Sequence, residues 1–429
     1  MFGARAGVAG RSSTSVVVLG AGVIGVTTAW YLREAGHEVT LVDRQAAPAL
    51  ETTFANGGQL SVTHAEPWAN PGTVRQILQW LVGRDAPLVV RPVADWRQWQ
   101  WCARFLFECL PQRSLANARA ILALALDSAA ALAALRAATG IVYDHVARGI
   151  LSFYLERREF ERAAAAAEQL RPSGCIRLEK TPAECEAIEP ALAHARPRLA
   201  GGIFAPHDAS GDAHRFTQGL ANLCAVRGVL LRLGETVEGI EIEGGRARVR
   251  LSSEERGESH LAADAFVVAL GSYSAPLLHP LGIRIPVYPV KGYSVTLDAG
   301  DCAPTVSLTD EGGKLVFSRL GDRLRVAGTA ELAGYDTAVD DARCERILAR
   351  VFDLFPGAGD RVNAQFWSGL RPATPGNVPL IGPTRYNNLF LNTGHGTLGW
   401  TLACGSGRAL AAIVSGRDPA IDFPFLTRV

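Results

Sequence analysis

Residues 15–43, "SVVVLGAGVIGVTTAWYLREAGHEVTLVD", constrain the fold more tightly than any other stretch. A β-branched run from Val16 to Val18 meets a glycine turn, then an amphipathic helix, then a second apolar run ending at Asp43. That order is one strand-helix-strand unit of about 30 residues. Its turn fits G-x-G-x-x-G with Gly20, Gly22 and Gly25. The first glycine makes the tight turn, the second lets the backbone approach a pyrophosphate, and the third lets helix pack on strand. The helix starting there aims free N–H groups and the positive end of its dipole at the phosphates. Asp43 stands about 20 residues further on, where a carboxylate accepts bonds from ribose hydroxyls. The alternative is a strand-to-helix turn without a ligand, with Asp43 an ordinary capping acid.

Two more strand ends carry glycine. "ADAFVVALGSYSAPLL" reads as a buried parallel strand, Phe266 to Leu270, ending in Gly271, and "NLFLNTGHGTLGWTLACGSGRALAAIVSG" as strand, glycine turn and helix. With 429 residues the chain is long enough for two or three domains. A nicotinamide dehydrogenase completes its binding domain in one block. Dispersal of the three turns, at residues 20, 271 and 394, instead predicts one nucleotide domain interrupted by insertions that form a second domain. Between the turns, "VEGIEIEGGRARVRL" alternates around Gly244-Gly245 as a hairpin does, "IPVYPVKGYSVTL" reads as a strand, and "RLRVAGTAEL" as a strand before a helix at about 340–355.

Composition narrows the function. Lys+Arg 43 against Asp+Glu 42 gives a formal net charge of +1, so there is no electrostatic case for nucleic acid. The eight cysteines contain no C-x-x-C and no metal-ligand spacing with histidine, which predicts free thiols in a reducing compartment and no metal. Residues 1–14 lack the continuous apolar stretch of a signal peptide and read as a disordered extension or an over-long start, with a transit-like segment as the alternative. The most apolar helix, "AILALALDSAAALAAL", reads as too short to span a bilayer between Arg119 and Arg136, and it contains Asp127. Residues 50–72 read as a loop over a ligand and 73–170 as helical. Within the latter, Trp96, Trp99, Trp101, Phe105 and Phe107 fit a packed core, or an apolar face that meets a membrane or a quinone.

From residue 15 to the end the chain resembles the small-subunit family of D-amino-acid dehydrogenases, within the glycine oxidase and D-amino-acid oxidase superfamily. The pieces that carry the resemblance are "ETTFANGGQ" (51–59), "PWANPG" (67–72), "SGDAHRFTQGLA" (210–221), "LGSYS" (270–274), "PVYPVKGYS" (286–294), "FWSGLRPATP" (366–375) and "NTGHGTLGWTLACGSG" (392–407). It departs from the family's pattern at His64, where a tyrosine is common, and at Gly376-Asn377, in place of Asp-Gly.

The resemblance implies an α/β plus α+β fold: a Rossmann-like FAD-binding domain built from residues 15–80, 201–275 and 366–429, with an inserted antiparallel-sheet substrate domain from 81–200 and 276–365. It implies FAD as cofactor, held by Val18, Leu19, Gly20, Ala21, Gly22, Val23, Ile24, Gly25, Asp43, Arg44, Thr53, Asn56, Gly57, Gly58, Gln59 and Gly271. The late turn, Gly394, His395, Gly396, Thr397 and Leu398, is expected to offer backbone N–H groups to the pyrimidine edge of the flavin, with His395 a structural neighbour of the ring. Arg371 is the expected seat of an amino-acid carboxylate, because a guanidinium makes two parallel charge-assisted bonds to it. Tyr293 and Tyr288 line the pocket or are ordinary strand aromatics, His64 faces it, and Lys291 stays solvated. The implied reaction is oxidative deamination of D-amino acids, D-alanine among them, with hydride passing from Cα to flavin N5 and electrons to a quinone or other respiratory acceptor. A flavin oxidase of the glycine or sarcosine type is the alternative. The expected setting is the cytoplasm, with peripheral contact at the inner face of the plasma membrane.

Overall fold

The computed structural model describes residues 13–64, 67–73, 88–91, 94–170 and 175–427. The expected extension therefore lies, for residues 1–12, outside the described residues. Its first sheet has six strands in the order Leu380–Pro383, Leu389–Thr393, Ala265–Val268, Ser15–Leu19, Glu38–Asp43 and Leu230–Leu233. All neighbours run parallel except the Leu380–Pro383 edge.

The strand period of two sorts the central residues. Val16 and Val18 join a core with the helices Val23–Glu34, Pro111–Thr139, Ala213–Val226 and Gly399–Val414. Val17 and Leu19 join a second core with Ile240, Val249 and Leu251 of a three-stranded antiparallel sheet. That sheet contains the expected hairpin, Thr236–Glu243 turning at Gly244-Gly245 into Arg246–Ser253. Three of the helices touch at backbone distance. A Cβ on Gly407 would lie 2.9 Å from the Thr27 carbonyl carbon, and one on Gly405 would lie 2.9 Å from the Leu124 oxygen.

The second sheet has nine strands. Its main path runs Gln365–Ala373, Tyr288–Asp298, Arg323–Leu332, Leu315–Leu320, Ser307–Asp310, Ile150–Tyr154, Gly201–Ala205, Leu178–Lys180, while Leu88–Val90 pairs with the upper end of Arg323–Leu332. The helix Asp341–Leu354, capped by Asp340, buries Ile347, Leu348 and Val351 with the sheet's Val295, Phe317 and Val326.

Several sequence expectations change. Residues 73–170 are not uniformly helical: Ile150–Tyr154 is a fully buried strand with neighbours on both sides, and residues 74–87 lie outside the described residues. The short apolar helix is the middle of Pro111–Thr139, whose 29 residues are long and apolar enough to cross a membrane. Here it is a core helix, with Ile121, Leu124, Ala125 and Leu135 buried and Asp127 paired to Arg408 of the Gly399–Val414 helix. This helix, expected with the substrate domain, thus packs beside the six-stranded sheet, whereas Gly201–Ala205 and Gln365–Ala373, expected with the nucleotide domain, are strands of the nine-stranded sheet. Hydrogen-bond pairing and burial of apolar faces set those memberships, and neither respects chain proximity.

The aromatic run divides by helix face. Asp95 caps the helix Trp96–Glu108. Trp101 and Phe105 are buried with Tyr288, Val290 and Ala330. Trp96 is 70 % exposed and Phe107 55 %, with Trp99 and Leu106 also exposed.

Candidate active site

A cleft of about 620 Å³ runs along the carboxyl ends of the six-stranded sheet, from Gly20 and Gly22 past Asp43 and Gly271 to Gly394–Gly396. A second cavity, of about 480 Å³, reaches the nine-stranded sheet and contains His64, Tyr293, Thr329 and Arg371. Thr52, Asn56, Trp367, Gly369 and Gly396 line both, so the two adjoin there.

The first turn is built as its sequence requires. Gly20 has φ +106, and a Cβ there would lie 2.5 Å from the Ala269 oxygen. A Cβ on Gly25 would lie 1.7 Å from the Gly20 oxygen, so no other residue fits this helix-strand contact. The helix that follows begins at Gly22 with no side-chain cap and no acid in its first turn; Thr53 Oγ1 accepts the Val23 N–H at 3.2 Å. An uncapped positive helix end facing a long cleft fits a pyrophosphate. Asp43 accepts the Ala21 N–H at 2.6 Å and the Gln45 N–H at 2.8 Å, bonds that lower its pKa against the larger upward push of burial. Arg44 lies over the Tyr273 ring, 4.1 Å from its centroid, and pairs with Glu51.

The expected cofactor residues do not all reach the cleft. Gly20, Gly22, Val23, Ile24, Asp43, Arg44, Thr53, Asn56, Gly271, Gly394, His395 and Gly396 line it. Gly57, Gln59, Thr397 and Leu398 line the second cavity instead. Val18, Leu19 and Ala21 are fully buried in the sheet and its turn, and Gly25 serves packing, so these four shape the site from behind. Gly58 takes φ +79 against Ser318, fixing the loop whose Asn56 Oδ1 accepts its N–H.

At the late turn Gly394 and Gly396 have φ +84 and +55, and the turn leads through Gly396–Leu398 into the Gly399–Val414 helix, again with no acid in its first turn. His395 beside it is 2 % exposed, and its Nε2 has no hydrogen-bond partner among the described residues. Burial pulls its pKa down to about 3, so the ring is neutral. An orphaned polar nitrogen and a buried Asn392 Oδ1, also without a partner, on the wall of this cleft fit a polar ring system held there.

Arg371 extends along the sheet from the Gln365–Ala373 strand across its neighbour. It lies over Gly292, where a Cβ would come 2.1 to 2.3 Å from the guanidinium, and Nη1 donates to the Thr329 carbonyl at 2.8 Å on the strand beyond. No acidic partner is found for it among the described residues, and burial alone pulls its pKa down to about 10. A cation held by carbonyls at a cavity wall is a seat for an anion.

Tyr293 lines the same cavity, but its hydroxyl donates to Glu331 Oε2 at 2.7 Å, so its proton is already committed, and burial pushes the hydroxyl's pKa up. His64 is on the wall, its Nε2 3.4 Å from Ser152 Oγ. One expectation is corrected: Lys291 is 2 % exposed and not solvated, its Nζ 3.0 Å from Asp336. Of the two readings of Tyr288 the structure takes the strand aromatic, packed against Trp101 outside the cavity lining. At the departure Gly376-Asn377, Asn377 takes φ +60, a conformation asparagine tolerates, and its Oδ1 accepts the Trp68 N–H.

Sequence reading missed Trp367, Gly369, Gly292, Thr329, Glu311 and Lys314. Counting by two along the strand from Arg371 finds Gly369 and Trp367; the others have no local signal, because they come to the cavity by sheet register.

Among the described residues no group of three or more His, Cys, Asp or Glu side chains could hold a metal ion. Comparison with known proteins matches residues 15–413 to a family described as FAD dependent oxidoreductase. A protein named D-amino acid dehydrogenase from Dechloromonas aromatica is 53% identical over 414 residues, covering 96% of this chain and 99% of the relative. One of the same name from Paramagnetospirillum magneticum is 51% identical, covering 95% of this chain and 96% of the relative. Among solved structures, glycine oxidase from Geobacillus kaustophilus superposes with a TM-score of 0.74 at 22% identity, covering 96% of each chain. Glycine oxidase from Bacillus cereus gives 0.72 at 23% identity over 94% of this chain and 95% of that one.

Proposed function

The chain belongs to the family of FAD-dependent oxidoreductases, and from that premise we propose that it is a D-amino-acid dehydrogenase, converting D-amino acids, D-alanine among them, to 2-oxo acids and ammonia. The observation that carries this reading is Arg371, a desolvated guanidinium with carbonyl partners and no acidic partner among the described residues, in a cavity that adjoins the dinucleotide cleft. FAD, when bound, supplies the acceptor for a hydride.

Every other part of the reaction falls to the chain. Arg371 takes the substrate carboxylate and thereby sets whether the single Cα hydrogen faces the junction of the two spaces, an orientation effect. The Gly399–Val414 helix, entered through Gly396–Leu398, directs its positive end at that junction and stabilises negative charge that develops there. Trp68, Phe105 and Ala330 line the cavity and reduce the water around the reacting carbon. The amine loses a proton, Cα loses its hydrogen with two electrons, and the imino acid released adds water to give the 2-oxo acid and ammonia. His395, neutral and enclosed, keeps its ring nitrogen for a hydrogen bond and has no proton to trade in the working pH range.

A respiratory quinone fits as the electron acceptor. The helix Trp96–Glu108 presents Trp96, Trp99, Leu106 and Phe107 outward, while Phe105 on the same helix lines the cavity. An outward aromatic face of this kind supports peripheral contact with the inner face of the plasma membrane, where quinone resides.

The test is anaerobic. D-alanine and, separately, L-alanine are added to the purified holoprotein and the visible flavin band is followed; bleaching by D-alanine alone is expected. Reoxidation is then timed with a soluble quinone and with oxygen. A band that neither enantiomer bleaches would refute the substrate class, and oxygen outpacing quinone would make the protein an oxidase.

A further inference from the structure

Thr329 combines three features that the reading above leaves unused. It has φ +53, although it is β-branched and sits inside the Arg323–Leu332 strand. A β-branched side chain in the left-handed region is strained, and such strain persists where the surroundings enforce it.

The cause is visible in the register. Tyr293 pairs with Gly328 and Lys291 with Glu331, so Gly292 alone on the opposing strand faces both Thr329 and Ala330 on this one. On the other side Leu315 pairs with Gly328, whereas Leu88 pairs with Ala330. Thr329 thus stands at a bulge where the strand exchanges one neighbour for another, and bulges re-aim a residue out of the ladder.

The consequence falls on the cavity. Thr329 is part of its wall, its carbonyl accepts the Arg371 Nη1–H at 2.8 Å, and its Oγ1 is buried with no hydrogen-bond partner among the described residues. A strained backbone, a carbonyl turned to the anchoring cation and an unsatisfied hydroxyl at the same wall have one common explanation. We propose that Thr329 is a substrate-binding residue whose hydroxyl donates to the α-carboxylate seated on Arg371.

A single donor on a carboxylate explains the geometry better than an acceptor for the amine, because the Thr329 carbonyl is already committed to the cation that the carboxylate approaches. The pair makes a fixed seat: Arg371 supplies charge and Thr329 a directional donor beside it. This inference rests on Arg371 being the carboxylate seat.

The experiment compares three holoenzyme variants, Thr329→Val, Thr329→Ser and Thr329→Gly, by the KM for D-alanine, by melting temperature, and by titration with propionate followed through the flavin spectrum. Propionate has the carboxylate and lacks the amine. Loss of the hydroxyl in Thr329→Val is expected to raise the KM and the propionate Kd together, by about 10- to 100-fold, the size of a hydrogen bond to a charged group. Thr329→Ser should restore both to within a few-fold. Thr329→Gly, free to adopt the positive φ, should melt no lower than wild type and still bind propionate as poorly as Thr329→Val, so stability and affinity part company. Unchanged propionate binding in both Thr329→Val and Thr329→Gly would overturn the proposal, as would a raised KM for D-alanine with unaltered propionate affinity. A wild-type protein that D-alanine reduces but that Arg371→Leu leaves equally competent to bind propionate would remove the seat, and this inference with it, while leaving the activity in place.

Discussion

Gly292 tests the anchoring cation without altering it. The Arg371 guanidinium lies over this residue, and a Cβ at Gly292 would stand 2.1 Å from Nη1, 2.2 Å from Cζ and 2.3 Å from Nη2. Ordinary contacts between such atoms begin near 3.5 Å, so Gly292→Ala forces the guanidinium back by roughly 1.5 Å. The atoms that must move are the far end of a flexible side chain, and the backbone around Gly292 stays in extended pairing with Gly369. The stability cost is therefore set by the bond to the Thr329 carbonyl, about 1 kcal/mol. The cost to the carboxylate is larger, since a displaced fork gives up one or both charge-assisted bonds, about 1.5–3 kcal/mol, or roughly 10- to 150-fold in kcat/KM for D-alanine. Steady-state kinetics with a quinone acceptor and thermal melting of the same preparation read both numbers. A variant with the wild-type kcat/KM would refute the claim that Arg371 is poised at its seat across Gly292. One that fails to fold would refute the claim that only a side-chain end has to give way.

Removing the cation should separate activity from stability: Arg371→Leu loses about 2–5 kcal/mol of transition-state binding, Arg371→Lys recovers only part of it, and neither melts far below wild type, because the guanidinium is desolvated without an acidic partner among the described residues. Kinetics and melting of the two variants check this together. His395 predicts a pH effect on stability. Its folded pKa is near 3 and its unfolded value near 6.5, so the unfolded chain binds the extra proton between them, and stability present above pH 6.5 is lost as pH falls, by up to about 1.4 kcal/mol per unit. Denaturation of holoprotein between pH 7 and pH 4.5 should show a shallower loss in His395→Gln than in wild type. Gly25→Ala puts a Cβ 1.7 Å from the Gly20 oxygen, so the purified variant is expected to carry little or no flavin absorbance.

What the sequence determined by itself is local. The strand, glycine turn and helix of residues 15–34 follow from β-branched residues, from a backbone that must take φ +106 at Gly20, and from a helix that begins without a side-chain cap. The hairpin at Gly244-Gly245 and the three dispersed glycine turns were legible for the same reason, because each is decided by the preferences of a few adjacent residues. The presence of Arg371 at the cavity was legible too, through the resemblance of "FWSGLRPATP" to the family's pattern.

Only the tertiary structure decided what surrounds it. Gly292 lies 79 positions before Arg371 and Thr329 lies 42 before it; they meet it because three strands align side by side in one register. Lys291 is buried because a strand alternates between two covered faces, one of which holds Asp336, and no feature of "PVKGYS" reports the second cover. The Pro111–Thr139 helix is apolar enough for a bilayer, and its place in the core follows from Gly405 in another helix, which lets the two backbones touch. His395 keeps its ring neutral because the fold removes water from around it. Local sequence sets conformation, whereas desolvation, register and close approach arise between segments that chain order leaves far apart.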